Sequence, residues 1–321
     1  MKLKKLIAAV TALSVVAALC VSLAGCGAKK TKYKVGICQL AQHDALDAAT
    51  KGFKDALKDK LGDEVEFDEQ NAAGEPATCT TIVNQFVSGK VDLIFANATG
   101  ALQAAVSATD SIPIVGTSVT DYATALEMKN WNGKTGINVT GTSDLAPLDK
   151  QADMIKELVP NAKTVGILYC SGEANSKYQA TEVAKYLKKL GMESKEYTSA
   201  DSNDLAQVVT TACSEVDVIY IPTDNTMASN TEIINNIAEP AKIPIVAGEK
   251  GICTGCGIAT LSIDYYSIGK KAGEMAYDIL VNGKDPAEME IGFAEDLTKE
   301  YMESRCQALG ITVPSDYSAI K

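Results

Sequence analysis

Short apolar runs alternate along the chain with longer segments in which apolar side chains recur every three or four residues. Residues 34–39 form such a run. Residues 44–61 then have the spacing of a helix with one apolar face, which consists of Leu46, Ala49, Phe53, Leu57 and Leu61. The same alternation predicts strands at residues 65–70, 91–96 and 112–116 and helices at residues 77–87 and 100–108. Short strands separated by amphipathic helices predict a parallel sheet with helices on both faces.

The pattern then restarts, which predicts a second lobe of the same design. Similar strings pair residues 163–167 with 34–37, residues 216–220 with 91–95, residues 243–246 with 112–115, and residues 262–264, which end in Asp264, with residues 142–144, which end in Asp144. The offsets run from 120 to 131 residues, too long for a solenoid repeat. We therefore expect an α/β protein of two doubly wound parallel-sheet lobes joined by a hinge of several strands. Ligands of such sheets bind outside the carboxyl ends of the strands, so two facing lobes would form a binding cleft.

The repeat also predicts where the chain crosses between the lobes. Crossings are expected near residues 143–147, 261–264 and 282–297. The first lobe would then comprise residues 33–145 and 264–285, and the second lobe residues 146–263 and 286–321.

The first residues have the composition of a signal peptide. Three lysines in residues 1–5 precede an uncharged apolar stretch at residues 6–23, and small residues then lead to Cys26. A cysteine directly after Leu-Ala-Gly resembles the lipobox of bacterial lipoproteins. The resemblance implies that residues 1–25 are removed, that Cys26 is lipidated, with palmitate among its acyl chains, and that residues 26–32 form a tether. The alternative is an uncleaved membrane anchor, because 18 apolar residues nearly span a bilayer.

Composition and charge exclude several classes of function. The 321 residues are 46% hydrophobic and 22% charged, which is typical of a folded protein of two domains. Without residues 1–25 the chain has 27 basic and 41 acidic residues, a net charge of −14, so nucleic acid is a poor partner. A single histidine, His43, and a single arginine, Arg305, exclude a site of several histidines and nearly exclude bidentate arginine clamps. We expect no metal and no cofactor.

Cysteine usage is unusual for an exported protein. Without Cys20 and Cys26 an odd number of thiols remains, and they cannot all pair within the chain: Cys38, Cys79, Cys170, Cys213, Cys253, Cys256 and Cys306. The Cys253-x-x-Cys256 spacing allows a redox pair or half a metal site, but without a second such motif we favour a local disulfide or two free thiols. Free thiols outside the cell would suit a low-oxygen habitat.

Several local strings resemble one known family. They are Val35-Gly-Ile-Cys-Gln39 with His43, Ile112-Pro-Ile-Val115 with Val119-Thr-Asp121, Asn138-Val-Thr-Gly-Thr-Ser-Asp144, Ser171-Gly-Glu-Ala-Asn-Ser176, Pro222-Thr-Asp-Asn-Thr226 and Ile263-Asp-Tyr-Tyr-Ser-Ile-Gly269. With the lipobox and the two lobes, they make the chain similar to the type I periplasmic binding proteins. Within these, the strings resemble the ABC-transporter substrate-binding family that includes the tryptophan- and tyrosine-binding lipoproteins. The resemblance covers residues 34 to about 290.

This resemblance implies the extracytoplasmic solute-binding component of an ABC importer, held at the cell membrane by its lipid. The protein would be a monomer that captures an amino acid, with an aromatic one favoured. It would close its hinge over the ligand and dock on an ABC permease. The resemblance implies no enzymatic activity and a bacterial source, and the free thiols favour a Gram-positive anaerobe.

Polar loops at the carboxyl ends of the predicted strands carry the candidate binding residues. Since the one arginine is remote in sequence, a ligand carboxylate would be held by hydroxyls and helix N-termini. For a ligand ammonium we favour Asp224 and Glu173, followed by Glu249. Asp144 and Asp264 are expected to cap helices, and capping is the alternative role of every such loop. The full candidate set is Gln39, Asn97, Thr99, Asp144, Ser171, Glu173, Asn175, Ser176, Thr223, Asp224, Asn225, Glu249 and Asp264.

Three alternatives stay open on the same fold. The cleft could bind a sugar, a nucleoside or a signal molecule, although a lone arginine counts against a sugar site. The chain could be a receptor or adhesin without a transport role. An enzyme would need a nucleophile beside a base, and Cys38 with His43 is the nearest such pair in sequence, but Cys38 belongs to a strand that is expected to be buried. His43 could equally stack on a flat ligand or lie on the rim of the cleft.

Overall fold

Two β-sheets covered by helices form the framework of the protein in the computed structural model, which describes residues 31–294 and 297–321. The first sheet is wholly parallel, with the strand order β2-β1-β3-β4-β5. Its strands are β1 (Tyr33–Gln39), β2 (Val65–Asn71), β3 (Leu93–Asn97), β4 (Ile114–Thr117) and β5 (Val139–Gly141). Its connecting helices are α1 (Asp44–Leu61), α2 (Pro76–Ser88), α3 (Thr99–Ala108) and α4 (Tyr122–Ala125), with a 3₁₀ turn at Gly62–Glu64.

The second sheet has the order β12-β11-β10-β9-β8-β6-β7 and is parallel except where β11 meets β10. Its strands are β6 (Thr164–Cys170), β7 (Glu193–Ser199), β8 (Val218–Ile221), β9 (Ile245–Ala247), β10 (Ala259–Ile263), β11 (Leu297–Tyr301) and β12 (Ser318–Ala319). Its helices are α5 (Leu148–Leu158), α6 (Ala174–Lys189), α7 (Leu205–Glu215), α8 (Asn225–Ala228), α9 (Thr231–Ala241), α10 (Lys250–Cys256) and α12 (Glu303–Leu309). The long helix α11 (Tyr265–Asn282) lies between β10 and the 3₁₀ turn Pro286–Glu288 and packs on the first lobe.

The two sheets confirm the duplicated α/β architecture. The order β2-β1-β3-β4-β5 in the first lobe recurs as β7-β6-β8-β9-β10 in the second. In both lobes the strand order therefore reverses beside the first strand. The reversal lies between β1 and β3 in the first lobe and between β6 and β8 in the second. Crevices at such reversal points are where doubly wound sheets bind ligands, at the carboxyl ends of the strands.

The first sheet is apolar on both faces because helices cover each side. On one side Phe53 of α1 stacks on Phe95 of β3, with ring centroids 3.7 Å apart and an interplanar angle of 18°. On the other side the ring of Phe86, in α2, lies directly over Gly36 of β1, where a Cβ would come within 2.6 Å of the ring. Gly36 therefore allows α2 to approach the strand at the close-packed spacing of a core.

The segment after α11 returns to the first lobe before the chain crosses. Glu290 forms a bridge to Lys134, Gly292 forms one to Thr142, and Ile291 is buried in the core of the first lobe. The division expected from the sequence places residues 286–321 in the second lobe. Nothing in the composition of these residues indicates the isolated bridges to the first lobe. The contacts favour a crossing after residue 294, and the assignment of residues to lobes stays our proposal.

No helix within the described residues is both long enough and apolar enough to cross a bilayer. The predicted signal peptide, residues 1–25, and the lipidated Cys26 lie outside the described residues, as does most of the predicted tether. Signal cleavage and lipidation therefore stay predictions of the sequence.

Helices α1 and α11 touch backbone to backbone through small residues. A Cβ on Gly269 would overlap the carbonyl group of Ala49, and one on Gly273 would lie 2.6 Å from the carbonyl oxygen of Phe53. This contact joins α11 to the helix whose N-terminus borders the cleft. The position of α11 therefore depends on the absence of a side chain at these glycines.

We expect Gly269→Ala to lower the free energy of unfolding by roughly 3 kcal/mol, because the added methyl group must push two packed helix backbones apart. Urea unfolding followed by circular dichroism measures this loss. Gly172→Ala is the matched control, because its Cβ would meet only the Sγ of Cys170, at 3.8 Å. Equal stabilities of the two variants would show that the close approach of α1 and α11 is not required.

Candidate functional site

A small enclosed cavity of about 20 Å³ lies between the two lobes. It is lined from the first lobe and α11 by His43, Leu46, Ser118, Thr120, Asp144 and Tyr265, and from the second lobe by Asn175, Thr223, Asp224, Asn225, Ala228 and Glu249. The structure thus brings six of the sequence-predicted residues together at one point. Four of them lie in loops at the carboxyl ends of strands, and Asn175 and Asn225 lie in the first turns of the helices that follow such loops, as the fold predicts.

Asp144 enters the cavity from the first lobe without capping a helix. Its Oδ1 accepts a hydrogen bond from Thr120 Oγ1 at 3.0 Å, and its Oδ2 accepts one from the Tyr265 hydroxyl at 2.9 Å. The expected capping role is wrong, because the next helix, α5, begins only at Leu148, with Pro147 before it. Burial raises the pKa of Asp144 above its ordinary value, although both hydrogen bonds oppose that shift. The side chain, only 5% exposed, is a buried acid with no cationic partner among its hydrogen bonds.

Glu249 enters the same cavity from the second lobe. It is the N-cap of α10 and accepts hydrogen bonds from the backbone amides of Gly251, at 2.6 Å, and Ile252. The side chain is 3% exposed, and burial raises the pKa of its carboxyl group above the ordinary value. Two buried acids from opposite lobes therefore line one cavity.

Asp224 and Glu173, the two acids favoured from the sequence for a ligand ammonium, hold loops of the second lobe together. Asp224 accepts hydrogen bonds from the amides of Met227, at 2.8 Å, and Cys170, at 2.7 Å. Glu173 accepts from the amide and side chain of Asn225, from the amide and side chain of Thr226, and from Asn175 Nδ2. Burial, and then the nearby Glu173, raise the pKa of Asp224. Both carboxylates are occupied within one lobe, the capping role that was their alternative.

Gln39 and Asn97 also act within one lobe. Gln39 donates to the Ala41 carbonyl and to Asp47, and accepts from Thr50 Oγ1 at 2.6 Å. Asn97 Nδ2 donates to the Leu46 carbonyl at 2.8 Å and to Thr50 Oγ1 at 2.9 Å. These amides tie β1 and β3 to α1, so they support the first-lobe wall of the cavity without lining it.

Three further candidates lie away from the small cavity. Ser171 is exposed, and its hydroxyl donates to the Ser199 carbonyl at 3.2 Å. Ser176 donates to the Thr223 carbonyl at 3.3 Å. Asp264 is exposed and caps α11 through the amide of Tyr266, the role expected for it.

A hydrogen bond across the cleft joins His43 to Asn225. His43 Nε2 lies 3.2 Å from Asn225 Oδ1, and Asn225 Nδ2 donates to Glu173 at 2.7 Å. Because the amide nitrogen is occupied by Glu173, the amide oxygen is left to accept, so Nε2 of the imidazole donates. Nδ1 is buried without a partner. His43 therefore lies between the lobes, neither stacked on a ring nor placed on the rim.

Two hydroxyls beside the cleft are buried without hydrogen-bond partners. They belong to Ser118, which is 6% exposed, and to Thr99, which is 3% exposed. Buried hydroxyls are nearly always paired, so unpaired ones beside a cleft are available to hydrogen-bond a ligand. The backbone beside them is strained, with φ of +53° at Ser118 and +87° at Ala98, and such strain clusters at binding sites.

The sequence pattern did not identify the polar residues of the loop after β4 as candidate binding residues. Ser118 and Thr120 follow β4 as Thr99 follows β3, so the same position after a strand could have identified them. Tyr265 was missed because it is the first residue of α11, and only the structure brings its hydroxyl to Asp144.

A larger cavity of about 650 Å³ opens outward from the same cleft. It shares Asn175 and Asn225 with the small cavity and lies over the reversal points of both sheets. Its wall comes from the loops after β1, β2, β3, β6, β7 and β8 and includes Leu40, Ala41, Pro76, Thr99, Ala104, Glu173 and Asn230. Neither cavity is lined by a lysine or arginine among the described residues.

All seven cysteines of the predicted mature body are free thiols. Of the two forms favoured for Cys253-x-x-Cys256, a local disulfide or two free thiols, the structure has the two free thiols. Cys38 is fully buried, and its contact with Cys79, followed by burial, raises the pKa of its thiol. Among the described residues no group of three or more His, Cys, Asp or Glu side chains is placed to hold a metal ion.

Comparison with known proteins gives consistent matches over nearly the whole described chain. The sequence model of the family described as ABC transporter substrate binding protein matches residues 34–319. The tyrosine-binding protein of Clostridioides difficile (strain R20291) is 41% identical over 254 residues, which are 78% of this chain and 73% of that protein.

Two solved structures of relatives cover most of the chain. The ABC domain from Streptococcus pneumoniae in complex with L-Trp is 32% identical, covers 90% of this chain and 100% of its own, and has a TM-score of 0.86. A ligand-free, open structure of a substrate-binding protein with adhesive properties from Clostridium difficile is 38% identical, covers 90% of this chain and 99% of its own, and has a TM-score of 0.68. The TM-score is higher for the L-Trp complex than for the ligand-free, open structure, although its sequence identity is lower.

Proposed function

The chain belongs to the ABC transporter substrate binding protein family, and from that premise we propose that it captures a free α-amino acid, with an aromatic side chain, between its two lobes. The observation that carries this proposal is the pair of buried acids, Asp144 and Glu249, that line one cavity from opposite lobes. The small cavity would hold the polar end of the ligand. The larger cavity would hold its side chain.

The ligand's ammonium group would provide a positive charge between Asp144 and Glu249. Buried carboxylates are costly unless a cation or several hydrogen bonds compensate them, and the burial of Asp144 and Glu249 raises the pKa of each. Two like charges oppose the approach of the lobes while the site is empty. An ammonium between them reverses this effect and gives the ligand a higher affinity for the closed state, as ligand-driven closure requires.

The ligand's carboxylate would be held by hydroxyls. Ser118 and Thr99 present unpaired hydroxyls, and Thr99 also begins α3, whose N-terminus has no side-chain cap. The single arginine cannot take this role, because the Arg305 guanidinium donates to four backbone carbonyls of the second lobe. His43 Nδ1 would form a further hydrogen bond with the ligand.

The proposed aromatic side chain rests on volume and on the relatives. A cavity of about 20 Å³ has room for an ammonium-sized group, whereas a cavity of about 650 Å³ beside it accommodates the rest of an aromatic amino acid. One relative is named a tyrosine-binding protein and another was solved with L-Trp. The larger cavity has acidic but no basic lining residues among those described, which disfavours aspartate and glutamate as ligands.

The proposed setting follows the family and the sequence of the N-terminus. We propose that the protein is extracytoplasmic and monomeric, that Cys26 carries the lipid that holds it to the membrane, and that the closed form delivers its ligand to an ABC permease. The hinge would bend where the chain crosses between the lobes, near residues 143–147, 261–264 and 294–297.

A thermal-shift panel tests the ligand class. We expect L-tyrosine and L-tryptophan to raise the melting temperature, and sugars and nucleosides to leave it unchanged. A ligand at 100 times its Kd stabilises the folded state by about 2.7 kcal/mol, which is readily measured. A shift with a sugar or nucleoside and none with any amino acid would refute the proposed ligand while leaving the family unaffected.

A further inference from the structure

The only arginine of the chain holds one end of helix α10. Arg305, in α12, donates through Nη1 to the carbonyls of Cys253 at 3.1 Å, Thr254 at 2.9 Å and Gly257 at 3.2 Å, and through Nη2 to that of Gly255 at 2.6 Å. The last carbonyls of a helix lack partners within it, and a cation there also interacts favourably with the helix dipole. One guanidinium thus satisfies the carboxyl end of α10.

The other end of the same helix carries Glu249. The carboxylate of Glu249 caps α10 through the amides of Gly251 and Ile252 and lines the small cavity. The helix has only seven residues, so it spans about 10 Å, and helices this short are not stable on their own. The orientation of Glu249 therefore depends on the contacts that fix α10 as a whole.

Close packing lets α10 move only as a rigid unit. A Cβ on Gly255 would overlap the side chain of Thr231, and a Cβ on Gly248, just before the helix, would lie 2.5 Å from the amide nitrogen of Thr223. Ile252 and Cys253 are fully buried between these ends. A change at the carboxyl end of α10 is thus transmitted to Glu249 at its N-cap.

We propose that Arg305 is a positioning residue for the ligand: by holding the carboxyl end of α10, it sets the orientation of the Glu249 carboxylate toward the ligand's ammonium group. The proposal rests on the proposed function, since it takes Glu249 as a contact of the ligand. The C-terminal segment, which does not line the small cavity, would then contribute to the affinity for the ligand.

The test is a double-mutant cycle between Arg305 and Glu249, with L-tyrosine and L-tryptophan as probes in isothermal titration calorimetry. We expect Arg305→Met to weaken binding about tenfold and Arg305→Lys to weaken it less, because a lysine keeps the charge but not the fork of donors. In the Glu249→Gln background, Arg305→Met should change the affinity less than about twofold. Equal losses in both backgrounds, or no loss in either, would overturn the positioning role.

Lys299→Met is the matched control, because Lys299 is a cation of the same C-terminal segment whose ion-pair partners, Glu157 and Asp316, lie outside α10. It should leave the affinity unchanged. Hydrogen exchange in the ligand-free protein gives a readout that needs no ligand. Arg305→Met should speed exchange of the Gly251 and Ile252 amides, which Glu249 caps, and unchanged exchange there would overturn the proposal.

Failure of the proposed function is visible separately in the same experiment. If neither amino acid binds the wild-type protein, or if Glu249→Gln binds as tightly as wild type, then the assigned ligand contact is wrong. Loss of binding in Glu249→Gln together with a full additional loss from Arg305→Met leaves the ligand contact intact and refutes the positioning role alone.

Discussion

Asp144→Asn is expected to weaken the binding of L-tyrosine and L-tryptophan about 100-fold or more, while the ligand-free protein stays folded. Removing one partner of a buried charge pair costs roughly 3 kcal/mol or more, because the ligand's ammonium is then buried without its counter-ion. Asparagine has the same size as aspartate, so it still accepts a hydrogen bond from Thr120. Calorimetric titration of the variant measures the loss.

The control for this variant is Asp264→Asn. Asp264 occupies the equivalent place in the repeat, but it is exposed and caps α11. It should lose little stability, because asparagine is nearly as good an N-cap as aspartate, and it should lose no affinity. N-acetyl-L-tyrosine provides a second control, because it lacks the ammonium group. The wild-type protein should bind it weakly, and Asp144→Asn should bind it about as well as it binds L-tyrosine. Wild-type affinity in Asp144→Asn would remove the central contact of the proposed function.

The fold was predictable where local pattern and burial agree. Helix α1 begins and ends where its apolar face predicts, at Asp44 and Leu61, because Gly62 with a φ of +56° ends it. Strand β7, Glu193–Ser199, is not evident in the pattern, because it lies at the edge of its sheet and five of its seven side chains are exposed. Its position depends on parallel pairing with β6, a contact distant in sequence.

The site was predictable only as a set of loops. Asp144 resembles a helix cap in the sequence, because polar residues precede an apolar helical segment, yet the chain there is crossing between lobes and stays extended until Pro147. Asp224 and Glu173 lie at strand ends as expected, but whether such an acid faces a ligand or a backbone amide depends on loops that meet only in the fold. Sequence reasoning therefore located the cleft, but it could not show that Asp144 is a buried acid there that caps no helix.

The affinity for L-tyrosine is expected to fall as the pH is lowered, and the fall should begin above the range in which exposed carboxyl groups become protonated. Burial raises the pKa of Asp144 and of Glu249 above the ordinary values of 3.8 and 4.5, and the ligand's ammonium pairs with the ionised forms. Below these pKa values binding must first remove a proton, which costs up to about tenfold in affinity per pH unit for each carboxyl. Calorimetry at half-unit steps of pH measures the slope.

The stability of the ligand-free protein should change with pH in the opposite sense. A carboxyl whose pKa is higher in the folded than in the unfolded state stabilises the fold at low pH, and this contribution is lost as the pH rises through the folded-state pKa. Asp144, Glu249 and Asp224 all have this sign, so the melting temperature without ligand should fall from about pH 5 to about pH 8, while the shift caused by L-tyrosine grows. Asp217 has the reverse sign, since backbone amides lower its pKa, but its contribution is lost only below about pH 4, outside this range. The Asp144→Asn/Glu249→Gln double variant should show a shallower decline than wild type. An affinity that does not change between pH 5 and 8 would show that neither buried acid must ionise to hold the ligand.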